Sequence, residues 1–125
     1  MSYFIIQTAK KLLNCIITVK YSLIISPLSK NSIAAQQCLQ FATALFELNH
    51  EIVSVFFHGY AVKYAFESSP EWSKLSKKSV KLLACSTIAD DYLSEKKQVA
   101  EGFQLAGLGQ WLESIESSDK MIEFS

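Results

Sequence analysis

Apolar residues recur along this chain with two periods, and the switches between them predict its elements. Residues 21 to 26, YSLIIS, form a short aliphatic run closed by Pro27, which predicts a buried strand. From Ile33 to Asn49 the spacing becomes helical, with Ala34, Cys38, Phe41, Leu45 and Leu48 on one face. Ser32 is placed to cap that helix and Asn49 to end it. EIVSVFF, residues 51 to 57, is β-branched and aromatic, a second strand ended by His58 and Gly59. The stretch from Tyr60 is mixed until Ser69 and Pro70 open a short helix through EWSKLSKK. VKLLAC, residues 80 to 85, predicts a third strand, apolar enough to be central, and STIADDYL has the composition of a helix start. LAGLGQWLESIES, residues 105 to 117, is expected to be helical despite Gly107 and Gly109, and KMIEF, residues 120 to 124, to be a last strand.

Strand and helix alternating in this order imply a single-domain α/β fold, a three-layer arrangement of a parallel sheet with helices on both faces, flavodoxin-like in class. Residues 1 to 19 fit the plan badly and are expected to be an N-terminal extension to a domain spanning residues 20 to 125.

Charge narrows the function. The chain has 12 lysines, no arginine and 12 acidic residues, for a formal net charge of zero. Arginine supplies the forked contacts that most often recognise phosphates and guanines, so direct nucleic-acid binding is not expected. No apolar run approaches a membrane span, and YFII and NCIITV are too short and interrupted for a secretory signal, so a cytoplasmic protein is expected.

The candidate chemistry rests on three cysteines. Cys15, Cys38 and Cys85 have no metal-ligand spacing and cannot all pair with one another. Cys38 lies on the apolar face of its helix, a core position. Cys85 ends a strand just before a helix start, where it is either a small core residue or a nucleophile. The free N–H groups and positive dipole end of a helix favour a thiolate, the reactive form. Asp90 and Asp91 are expected on the solvent side. In parallel sheets, reactive groups gather beyond the strands' carboxyl ends, where His58 would share an edge with Cys85 as a base or as a merely exposed residue. The loop SPLSKNS lacks glycine, and its serines are explained as helix caps, so no cofactor is implied.

Three blocks, QFATALFELNHEIVSVFF, WSKLSKKSVKLLACSTIA and GFQLAGLGQWLESIESSDKMIEF, together resemble the DsrE-like sulfurtransferases, in the branch that serves the tRNA 2-thiouridine sulfur relay. The resemblance covers roughly residues 20 to 124. It implies a DsrE-like fold and a persulfide-forming nucleophile at Cys85, which takes sulfane sulfur from an upstream TusA-like donor. The sulfur would pass to a downstream TusE-like acceptor for 2-thiolation of the wobble uridine of tRNA. The partners implied are related B- and C-type subunits in a heterohexamer. An apolar stripe of Leu105, Leu108, Trp111, Leu112 and Ile115, with aromatic residues from Phe56 to Phe66, agrees with such an assembly. The alternatives are a DsrE-type subunit of a dissimilatory sulfur-oxidation complex and a non-catalytic assembly subunit. Two departures stand out: the residues before Tyr21 have no counterpart in the family, and the loops flanking Cys85 are shorter than usual.

Overall fold

The computed structural model describes residues 18–95 and 97–125. The extension read for residues 1 to 19, and Cys15 with it, therefore lies almost wholly outside the described residues. The elements run β1 (Lys20–Ile25), α1 (Ala34–Glu47), β2 (Glu51–Phe57), a 3-10 helix (Gly59–Phe66), α2 (Pro70–Ser76), β3 (Lys81–Cys85), α3 (Ser86–Ser94), β4 (Phe103–Ala106), α4 (Leu108–Glu116) and β5 (Lys120–Phe124). The five strands form one sheet in the order β4-β3-β2-β1-β5, and every pairing is parallel. The expected α/β class is what the chain adopts.

The helices divide unequally between the faces. Leu23, Ile25, Val55, Phe57, Leu82 and Ala84 point to one side, into a large core shared with α1, the 3-10 helix, α2 and α3. Phe57 is its centre, edge-on to Trp72 at 4.8 Å and to Phe103 at 5.0 Å. The opposite face carries Phe56, Leu83 and Ala106, which α4 covers through Trp111. Ser22 Oγ helps fix α4 there, donating to the Ser114 carbonyl at 3.0 Å.

Local sequence sets the boundaries. Helix α1 buries Ala34, Cys38, Ala42 and Leu45 along one stripe. Ser32 Oγ accepts from the Ala34 N–H at 3.1 Å, so it serves the first turn from two residues upstream while Ile33 takes the N-cap position. At the other end Asn49 adopts φ 61°, with the Asn49 N–H donating to Phe46 O and the His50 N–H to Leu45 O. That is a Schellman closure, with asparagine standing where glycine is usual. It turns the chain straight into β2.

One expectation needs correction. The segment from Leu105 is not one helix: Phe103–Ala106 is a strand, Gly107 is the N-cap and the helix begins at Leu108. Extended backbone at residues 103 to 106 pairs with β3, so tertiary pairing overrides the helical spacing. Strand β3 is interior, paired with β2 and β4 on either side, as its apolar run predicts. The 3-10 helix was not foreseen, because its apolar residues follow neither period cleanly.

Gly102 enters β4 at φ +90°, and a Cβ there would meet Ser76 Oγ at 2.5 Å and Ser76 Cβ at 2.8 Å. Gly102→Ala should destabilise the protein by about 2 kcal/mol or more, through backbone strain and this clash. Gly109→Ala, in helical backbone with open space around it, should be neutral or stabilise by up to about 1 kcal/mol. Urea titrations of both variants check the contrast.

Candidate active site

Parallel register brings three side chains of different chemistry to one edge of the sheet. Ile25 pairs with Phe57, and Phe57 with Ala84. The next residues on these neighbouring strands are Ser26, His58 and Cys85. The row holds because β2 stays extended through His58, at φ −124° and ψ 154°, and the His58 N–H donates to Ile25 O at 2.9 Å. Gly59 then turns away at φ 60° into the 3-10 helix. His-Gly thus ends the strand as the sequence predicts, with the histidine kept at its tip.

Cys85 closes β3, where it pairs with Ala106, and is at the same time the N-cap of α3. It is partly exposed and packs against both cores. Its side chain makes no hydrogen bond to the first turn of α3, so those N–H groups remain open to a charged sulfur. Asp90 and Asp91 are exposed, as expected. Cys38 is the contrast. It is fully buried in the main core, and burial pushes its thiol up to about 12. Both cysteines are free thiols.

His58 is exposed, with its ring stacked on Phe56 at 6.4 Å and 19°. Phe56 in turn stacks on Trp111 at 5.2 Å. Ser26 Oγ lies 3.5 Å from His58 Nδ1. His50, the other histidine, is at the opposite end of the sheet, where its Nδ1 accepts from the Val19 N–H at 3.1 Å. That bond gives it a structural role.

A cleft of about 650 Å³ opens beside this row, between the start of the 3-10 helix and α3. Ser26, His58, Tyr60, Ile88, Asp91 and Tyr92 are among the residues that line it. Cys85 stands next to the cleft without lining it, one turn before Ile88. The α3 contribution was missed in the sequence, although Ile88, Asp91, Tyr92 and Glu95 share one face by helical spacing. Among the described residues no group of histidine, cysteine and acidic side chains is arranged to hold a metal ion, and no helix is long and apolar enough to cross a membrane.

The interface expectation divides. Phe56, Phe57 and Trp111 are buried and Tyr64 and Phe66 pack against the core. Leu105 belongs to β4, and Leu108 and Leu112 stand on the outside of α4, 68% and 50% exposed.

The model of the DsrE/DsrF-like family matches residues 19–124. The chain belongs to that family. The sulfurtransferase TusD homolog of Vibrio vulnificus strain YJ016 is 29% identical over 128 residues, covering 85% of this chain and 98% of that relative. Its counterpart in Vibrio parahaemolyticus is 29% identical over 126 residues, covering 83% and 96%. Among solved structures, the ychN protein from E.coli superposes with a TM-score of 0.67 at 19% identity, covering 86% of this chain and all of that one. That likeness carries the DsrE-like fold. The named relatives support a sulfurtransferase of this family.

The two described thiols should differ sharply in reactivity. In a Cys15→Ser background near neutral pH, iodoacetamide should modify Cys85 at least about 100-fold faster than Cys38, because burial keeps Cys38 protonated and covered. Peptide mapping after timed quenching gives both rates.

Proposed function

We propose that this protein is a sulfurtransferase that carries sulfane sulfur as a persulfide on Cys85 and hands it to an acceptor thiol. The observation that supports this reading best is the position of Cys85. It is a partly exposed thiol at the carboxyl end of β3, at the N-cap of α3 and beside an open cleft. One thiol suffices for the chemistry. Its thiolate attacks the outer sulfur of a donor persulfide, and the acceptor's thiolate later removes that sulfur from Cys85. A helix N-terminus stabilises the anion formed at each exchange.

Within this reading, the donor is a TusA-like carrier, the acceptor a TusE-like one, and the relay ends in 2-thiolation of the tRNA wobble uridine. What supports that pathway is the resemblance of the three sequence blocks and the relatives named as TusD homologues. A relay subunit that touches only protein carriers needs no basic surface, which agrees with the neutral, arginine-free composition. Assembly with related B- and C-type subunits is supported by Leu108 and Leu112 on the open side of α4.

The test is mass spectrometry after incubation with a persulfidated donor protein. The peptide containing Cys85 should gain one sulfur atom, reversibly with dithiothreitol. Cys85→Ser should lose the gain, while Cys15→Ser should retain it. A wild-type chain that stays unmodified while the donor remains loaded would overturn the proposal.

A further inference from the structure

We infer that His58 is the proton-handling partner of Cys85, accepting the thiol proton as sulfur arrives and returning it to the departing thiolate. The inference rests on reading Cys85 as the sulfur acceptor, and it names the group that makes the transfer efficient near neutral pH.

Three observations lead to it. First, Phe57 pairs with Ala84, so His58 and Cys85 are the next positions on adjacent strands, whose backbones lie about 5 Å apart. Second, both side chains belong to the same face of the sheet. The imidazole stacks on Phe56, and Cys85 packs against the cluster of Phe56, Leu83, Ala106 and Trp111. Third, Ser26 Oγ stands at Nδ1, which leaves Nε2 without a protein partner among the described residues. A third group orienting a base, and the base adjoining a nucleophile, is the arrangement that activates nucleophiles on unrelated folds. Here each of the three strands contributes one member.

The groups around the imidazole suit the role. The cleft that His58 lines is also lined by Asp91, Glu95, Lys97, Tyr60 and Tyr92. Lys97 pairs with Glu95 at 3.4 Å. Helix α4 brings Trp111 against Phe56. The ring is exposed, so a proton taken up at Nε2 can be returned from the same position.

The step balances without oxidant or reductant. The Cys85 thiol gives its proton to Nε2. Its sulfur forms a bond to the outer sulfur of the donor R–S–SH, the donor's S–S bond breaks, and that electron pair leaves on the inner sulfur as RS⁻. The imidazolium returns the proton, giving the Cys85 persulfide and RSH. Delivery to the acceptor is the same step reversed in direction.

The experiment is single-turnover transfer from glutathione persulfide to the full chain, followed by quenched mass spectrometry across the neutral pH range. His58→Ala and His58→Phe should both slow loading by about 100-fold at neutral pH and lose the wild-type dependence of rate on pH. Added imidazole should restore much of the His58→Ala rate and none of the His58→Phe rate. The phenylalanine variant retains the ring over Phe56, so a packing role alone would leave it near the wild-type rate. Wild-type loading with unchanged rates in both variants overturns this inference and leaves the Cys85 reading intact. A wild-type chain that takes up no sulfur overturns both.

Discussion

Parallel pairing is the constraint on which the rest of this structure depends. Because β1, β2 and β3 run the same way and in register, their last residues fall in one row, and whatever the sequence puts at those positions becomes neighbours. Ser26, His58 and Cys85 are 59 positions apart from first to last in the chain (85 − 26), yet the strand ladder alone sets them at neighbouring strand ends. No loop has to be ordered to assemble them. The cost is topological: each parallel step needs a crossover, and those crossovers supply α1, the 3-10 helix with α2, and α3. The elements that cover the sheet are thus a consequence of the pairing that builds its edge.

The unequal coverage of the two faces follows from the same path. Three successive crossovers pack on one side and make a core around Phe57, Trp72 and Phe103. Among the described residues, only the return from β4 to β5 crosses the other side, where one helix of nine residues lies. That side holds a thinner cluster, centred on Phe56 and Trp111, and it is the side to which His58 and Cys85 are attached. A rigid core thus supports the row from one face. The other face leaves Cys85 partly open to solvent and His58 exposed.

Much of this was legible in the sequence because the strongest signals were also the structural ones. EIVSVFF between Asn49 and His-Gly gave β2 to the residue, and the place of Cys85 followed from an apolar run meeting a helix start. Strand β4 was hidden, since FQLA is four residues long and runs straight into GLGQWLESIES, whose helical spacing extends back over it; only its pairing with β3 reveals it. The cleft was hidden for a different reason. Its walls come from the 3-10 helix and α3, and the angle between two elements has no signature in either one's residues. His58 was placed at the right edge by the strand boundary, whereas its contact with Ser26 depends on a register no single strand encodes.

The irregularity at the start of β2 has a consequence for that edge. Tyr21 pairs with Ile52 but Ser22 with Ser54, so Val53 is an extra residue in the ladder. Ile52, before it, and Val55 and Phe57, beyond it, all reach the main core, although strict alternation would send Ile52 to the opposite side. Val53 therefore works as a phase shift within a single strand. The amino half of β2 is set by the packing of α1, while the carboxyl half keeps its own alternation, ending with Phe56 and His58 on the α4 face. Without that shift Ile52 and His58, an even number of residues apart, would fall on the same face of the sheet.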